Sequence, residues 1–293
     1  MTEAGLDRYR ARMRRALDYI DAHLDAELDL DTLSGVAAFS KHHFHRQFGA
    51  FFGVSVHRYI QLARIKRAAY RLVFRSQLSV TEIALDAGYA APEAFARAFR
   101  ARTGQSPSVF RNTPAWTDWQ ARFQPLAYAR SRLMHTFSIA DVTIRQQPSI
   151  AVLTLEHHGD PARIGETIRR FIDFRKAHGL NPQRSATYTV FHSDPRHTPA
   201  ADFRMDLCVA ADPGLASVAD GMRADRIPGG RCAVLRVTGA SDDLEPAALF
   251  LYRDWLPASG EEPGDFPLYA ERVRFFPDVP EHQAITDLLL PLK

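Results

Sequence analysis

S-V-T-E-I-A-L-D-A-G-Y at 79–89, F-A-R-A-F-R at 95–100 and G-Q-S-P-S-V-F-R at 104–111 form the stretch that decides the fold. Ser79 and Glu82 make an S-x-x-E capping box, so a helix opens at Val80. Gly88 ends that helix in a tight turn. Pro92 suits the first position of the next helix, where its missing N–H costs nothing. Phe95 and Phe99 stand four apart, on one helix face. Gly104 then stops the chain, and Ser106-Pro107 starts a further helix in the same way.

Working outward, the pattern recurs about fifty residues earlier. A shift of 51 superposes Phe44 on Phe95, Arg46 on Arg97, Phe48 on Phe99, Gly53 on Gly104, Ser55 on Ser106 and Tyr59 on Phe110. One helix earlier the shift is 50, with Leu30 on Val80 and Leu33 on Ile83, so the odd residue falls in the turn. Two copies of a short helix, a turn and a second helix are two helix-turn-helix units. A helical solenoid would repeat its apolar positions too. It has no need of Arg46 and Arg97, which lie two positions past a core Phe and therefore on another face. Flanking helices are expected over the stripe from Tyr9 through Met13, Leu17 and Ile20, after Asp29, after Ser40 and after Ser55.

The 293 residues suggest two domains. The net charge of +3 conceals a split: residues 40–111 carry 12 Lys and Arg against 3 Asp and Glu, a balance of +9. That asymmetry fits a nucleic-acid surface or a solvated basic face. Cys208 and Cys232 cannot supply a four-ligand zinc site or a disulfide framework. His42, His43 and His45 have no acid or Cys nearby, so neither a metal nor a cofactor is expected. No apolar run approaches the ~18–20 residues of a membrane helix. The N-terminus has no apolar signal core, so no membrane association and a cytoplasmic location are expected.

Residues 30–111 resemble the DNA-binding domain of the AraC/XylS transcription-regulator family, on the words above together with S-K-H-H-F-H-R-Q-F at 40–48. The resemblance implies that the second helix of each unit enters a major groove. Two units in one chain then read sites ~34 Å apart on one DNA face, and a monomer suffices. It puts His42, His45 and Arg46 at base-reading positions of the first unit, and Pro92, Glu93 and Arg97 at those of the second. Arg bidentate to guanine is the commonest specific contact. Lys41, Arg58, Arg100 and Arg102 are expected on phosphates. Ala38 departs from the glycine usual in the first turn; if that position needs φ > 0, the change costs roughly 1 kcal/mol. Double-stranded promoter DNA is the expected partner, with RNA polymerase as the protein partner; the oligomeric state is left open.

Beyond Arg111 the pattern changes. Strands are expected over 139–147, 150–157, 186–192, 203–210, 222–227, 232–237, 269–276 and 284–290, with helices over 164–177 and 244–256. Ala151-Val152-Leu153 echoes Ala233-Val234-Leu235, and Gly159 echoes Gly239. This half is therefore read as a pseudo-twofold α+β domain, two helices on one face of an antiparallel sheet. The expected division is an all-α double helix-turn-helix domain over 1–112, an aromatic linker over 113–137 that packs rather than swings, and the α+β domain over 138–293.

Residues 138–293 resemble the GyrI-like effector domain, of the duplicated SHS2 type, on H-H-G-D-P-A-R-I-G-E-T (157–167), I-P-G-G-R-C-A-V-L-R (227–236), Y-R-D-W-L-P-A-S-G (252–260) and T-D-L-L-L-P-L (286–292). The resemblance implies a small apolar or cationic effector bound between the two halves, with an acid on the last strand; here that acid is Asp287. Asp287 lies among apolar neighbours and either meets a ligand or pairs with Arg236 or Arg274. Tyr188, Phe191, Trp255 and Tyr269 either wall the site or fill the core. No Ser-His-Asp, HExxH or Cys nucleophile is legible, so the chain is not expected to be an enzyme. A hydrolase of GyrI-like type and a protein-binding module are the alternatives for this half.

Overall fold

The computed structural model describes residues 3–116, 119–133, 137–194, 197–211, 221–239 and 244–293. Contacts divide the chain into two units, Met1–His135 and Thr136–Lys293.

The first unit is helical: α1 (Glu3–Ala22), α2 (Leu30–Val36), α3 (Lys41–Phe52), α4 (Val56–Phe74), α5 (Val80–Asp86), α6 (Pro92–Thr103), α7 (Pro107–Asn112) and α8 (Trp119–Ser131). The capping box is closed in both directions. The Glu82 N–H donates to Ser79 Oγ at 3.1 Å, and the Ser79 N–H donates to Glu82 Oε2 at 2.6 Å. Ser55 and Ser106 cap α4 and α7 through their hydroxyls, whereas Ser40 holds the cap position of α3 without a side-chain bond. Gly53 and Gly104 end α3 and α6 at φ 69° and 82°, left-handed values that glycine adopts without strain.

The repeat is carried into the packing. Phe44, Phe48, Phe95 and Phe99 are fully buried, as are Tyr59 and Phe110. Phe48 meets Tyr59 edge-on with ring centroids 6.0 Å apart, and Phe99 meets Phe110 at 5.3 Å. Large rings at these repeated places bury the most apolar area and set each second helix against the helix that follows it. Residues 113–137, expected as a linker, include α8, which packs on α3, α4 and α6. Trp116 and Trp119 pack edge-on or tilted against Phe110 and Tyr70. The aromatic composition of the segment is thus that of a core.

The two turns differ. Gly88 has φ 72° and Ala38, fifty residues earlier, has φ 52°. An L-residue in this region is held against a penalty of roughly 1–2 kcal/mol. Ala38→Gly is expected to raise the stability of the first unit by about 1 kcal/mol, read from urea denaturation of the full chain. A loss of stability would mean that the methyl group packs.

The second unit is one eight-stranded antiparallel sheet with strands β1 (Val142–Gln147), β2 (Ile150–His158), β3 (Thr187–Phe191), β4 (Arg204–Ala210), β5 (Met222–Ile227), β6 (Gly230–Thr238), β7 (Tyr269–Arg274) and β8 (Ile285–Pro291). Their order is β1-β6-β8-β7-β3-β4-β2-β5. The two halves meet at β3 and β7. α9 (Ile164–Ala177) covers Leu153, Leu155, Leu207 and Val209 with Phe171 and Phe174. A second helical stretch, α10 (Glu245–Leu249), a π turn (Phe250–Trp255) and α11 (Leu256–Ser259), covers Ala233, Leu235, Leu288 and Leu290. The register joins Leu235, Leu288, Ala270, Thr189, Leu207 and Leu155 in one row, so both helical stretches lie on the same face. Pro257 accounts for the π turn: it has no N–H for the carbonyl four residues back, and the widened turn relieves the ring's clash.

The duplication is visible in single hydrogen bonds. The Gly159 N–H donates to Phe203 O and the Gly239 N–H to Ala284 O, each at 2.9 Å, with φ 104° and 122° at the two glycines. Gly229, in the connection from β5 to β6, lies against the connection from β1 to β2 so closely that a Cβ would come within 2.6 Å of the Ser149 nitrogen. β1 pairs with β6 and β2 with β5, so both connections cross from one half of the sheet to the other.

Candidate nucleic-acid interface and sheet-face site

The apolar side of α3 is fixed by Phe44, Phe48 and Phe52, all buried. The opposite side then presents Lys41, His42, His43, His45 and Arg46 to solvent. On α6, Phe95, Phe99 and Thr103 are buried, and Glu93, Arg97 and Arg100 are exposed. Pro92 at the first helical position is half-buried and carries no donor, which limits it to apolar contact such as a thymine methyl.

The local charge serves two purposes. Arg64, Arg67, Arg71 and Arg111 are turned inward. Arg64 donates to Leu24 O at 2.9 Å and Ala26 O at 2.7 Å, and Arg111 donates to Leu78 O at 2.7 Å. Arg67 donates to Asp86 O, and Arg71 pairs with the Asp86 carboxylate at 2.6 Å. Burial, then Arg71, bring the Arg67 guanidinium down to about 10. Lys66 is buried as well. The four arginines are spent on loop and helix-end carbonyls and on the Asp86 carboxylate inside the unit. The +9 therefore overstates what is offered to a partner.

Arg46, Arg97 and Arg100 differ in kind. Their side chains are exposed and, among the described residues, make no hydrogen bond or ion pair. Lys41 is engaged with Asp31 at 2.6 Å, but both groups are at least half exposed and such a pair is worth at most ~1 kcal/mol, so it exchanges readily. Arg102 donates to Gln61 Oε1 at 3.1 Å. Burial and, secondarily, Arg102 lower the Arg58 guanidinium, which places these two cations of α4 and α6 as neighbours. Among the described residues no group of His, Cys, Asp and Glu is arranged to hold a metal.

In the second unit the register sorts the five ligand candidates. Arg236, Asp287, Glu271, Tyr188, Cys208, Thr154 and Arg223 form one row across the helix-free face. The next row on that face carries Val234, Leu289, Tyr269 and Val190. Tyr188, Tyr269 and Asp287 are thus brought together, with the two tyrosine rings edge-on at 6.3 Å. Phe191 and Trp255 are not among them. Both pack in the cluster under α10 and α11, on the other face, with Trp255 buried. A strand alternates faces at every residue, and Phe191 is odd with respect to Tyr188.

Asp287 is 5% exposed and accepts two hydrogen bonds from Arg236, at 2.6 and 2.7 Å. Arg236 is thus the arginine that pairs with it. Glu271 is half-buried beside it in the register, and its carboxylate makes no hydrogen bond among the described residues. Burial, followed by the Asp287 charge, pushes its carboxyl above the ordinary range, against Arg236 and Arg145. Sequence reading passed over Glu271, although the alternation Tyr269-Glu271 places an acid on the aromatic face of a strand. Burial also pushes the Tyr188 hydroxyl and the Cys208 thiol up to about 12. Cys208 on β4 and Cys232 on β6 are four strand spacings apart, about 19 Å, so they do not form a disulfide with each other.

A doubled helix-turn-helix with bare arginines at repeated positions, followed by a duplicated sheet domain with a polar and aromatic face, defines a DNA-binding transcription regulator with a small-molecule-binding domain. Residues 140–293 match the GyrI-like small molecule binding domain, and residues 33–113 match a helix-turn-helix domain of AraC type. The chain belongs to the GyrI-like family. It is 34% identical over 153 residues to a probable transcriptional regulator, YgiV of Escherichia coli K12, covering 52% of this chain and 96% of that one. It is 29% identical over 153 residues to the right origin-binding protein of the same organism, covering 52% of this chain and 49% of that protein. An uncharacterised helix-turn-helix regulator of Bacillus subtilis, YbfP, is 32% identical over 103 residues, 35% of each chain. No helix among the described residues is long and apolar enough to cross a membrane.

Proposed function

We propose that α3 and α6 enter successive major grooves of promoter DNA, with His42, His45 and Arg46 reading bases on the first helix and Pro92, Glu93 and Arg97 on the second. Lys41, Arg58, Arg100 and Arg102 hold phosphates. The observation that carries this reading is the repeat-related pair Arg46 and Arg97, exposed and unspent among the described residues while neighbouring arginines bond to backbone carbonyls. Arg97→Ala is expected to cost roughly 1–3 kcal/mol on a specific site and to relax the preference at one base pair, measured by competition binding against single-base variants. Equal losses on specific and random DNA would reassign Arg97 to the backbone. A monomer suffices for reading, RNA polymerase is the protein partner, and the protein acts in the cytoplasm.

The sheet face takes an apolar cation beside the packed Tyr188 and Tyr269 rings, with Glu271 as its counter-charge and the Arg236–Asp287 pair as the wall beside it. Glu271→Gln is expected to weaken a lipophilic cation such as tetraphenylphosphonium about tenfold, the equivalent of ~1.4 kcal/mol. A raised carboxyl is protonated sooner as pH falls, so wild-type affinity should decline at a pH above the ordinary glutamate value of ~4.3. The variant should lose that pH dependence. Unchanged affinity in the variant would remove Glu271 from the site. Binding rather than hydrolysis is favoured because the buried Cys208 thiol stays protonated near neutral pH and the Tyr188 hydroxyl is a weak acid.

A further inference from the structure

The match to the helix-turn-helix family ends at residue 113 and the match to the GyrI-like family begins at 140. α8, Trp119–Ser131, lies in neither, yet it is built into the first unit at many points. It packs on α3, on α4 and on α6, and so on both second helices of the repeat and on the helix that bridges them. At the end of α3, the Tyr128 ring lies over Gly53, where an added methyl group would sit 3.0 Å from it. The Arg132 guanidinium, just past α8, stands 5.3 Å from the centre of the Phe51 ring. At the end of α6, Arg122 donates to Arg102 O at 3.1 Å. Between them, Arg130 meets the buried Asp21 carboxylate of α1 at 2.5 Å, and Tyr59 of α4 donates to the same carboxylate at 3.2 Å.

We propose that α8 is a brace that sets the separation and phase of α3 and α6, and that Tyr128 and Arg122 are positioning residues for DNA recognition. Two helix-turn-helix units joined only through α4 leave their mutual angle to the stiffness of one helix and its packing. An element fastened to the C-terminal ends of both second helices fixes that angle from outside. Preorganisation of this kind gives affinity for one half-site spacing and withholds it from others. The contacts are independent of the bases read, so they act on spacing and not on sequence.

The inference rests on α3 and α6 both reading DNA, and its test separates the two ideas. Tyr128 is 46% exposed and Arg122 is exposed, so Tyr128→Ala combined with Arg122→Ala loosens both fastenings while leaving the core intact. A duplex is first selected from a random library by the full wild-type chain. Variants of that duplex then gain or lose one and two base pairs between the half-sites, and isolated half-sites serve as controls. The wild type is expected to lose at least tenfold in affinity for every altered spacing. The double variant is expected to bind the selected spacing several-fold more weakly, to bind half-sites as the wild type does, and to discriminate spacings less than threefold. Retained discrimination in a folded double variant overturns the role of α8. A wild type indifferent to spacing overturns two-headed reading and the brace together. Equal weakening on all duplexes, half-sites included, reduces Tyr128 and Arg122 to general stability and also overturns the proposal.

Discussion

Gly88→Ala is expected to lower the stability of the first unit by about 3 kcal/mol or more, the larger effect of any single methyl group in the two turns. At φ 72° the backbone alone penalises an L-residue by roughly 1–2 kcal/mol. The Cβ would also stand 2.5 Å from an Arg64 nitrogen and 2.9 Å from Leu24 O. The arginine tip can retreat, but it then gives up its bonds to Leu24 O and Ala26 O, and these tie α4 to the loop between α1 and α2. The first turn is braced differently. Arg12 of α1 donates to Ala37 O at 2.8 Å and lies over the Phe39 ring at 3.6 Å, which leaves room for the methyl group of Ala38. Urea denaturation of the full chain, followed by a probe in the first unit, checks the value. A loss below 1 kcal/mol would mean that Arg64 relocates without cost.

Arg130→Met should cost about 3–5 kcal/mol, and much of that loss should be recovered by adding Asp21→Asn. Asp21 is 2% exposed, and Arg130 is its partner at 2.5 Å with only 14% of its own side chain exposed. Removing the guanidinium alone strips a buried carboxylate of a counter-charge. Removing both charges leaves a neutral amide that still accepts from Tyr59, and the remaining volume is filled by the methionine. The double-mutant cycle measures the coupling directly. Two additive losses would show that the pair contributes packing alone.

Much of the fold is legible in the chain because it rests on local signals. Ser79 with Glu82, Pro92, Gly53 and Gly104 each act on the residues next to them, and the structure uses each in the role its chemistry dictates. The strand positions follow from two-residue alternation for the same reason. The faces of the sheet were harder to assign, because Phe191 and Trp255 are aromatic wherever they point, and only register puts them under the helices. The chain offers Asp287 a ligand or an arginine such as Arg236 or Arg274; the register across β6 and β8 brings Arg236 to it. Nothing local marks Glu271, because its place depends on Asp287 being already paired, which only the register across three strands brings about. α8 is less plain in the chain because Pro125 interrupts its pattern, although Trp119, Phe123 and Leu126 stand on one helical face.

The claim that α3 and α6 are two reading heads is tested most directly by methylation interference on the duplex selected by the full-length chain. Methylation of guanine N7 blocks the acceptor that a bidentate arginine uses. The account predicts interference at two places about one helical turn apart, with Arg46→Ala removing the sensitivity at one and Arg97→Ala at the other. A single region of interference, or two regions that persist unchanged in both variants, would contradict it.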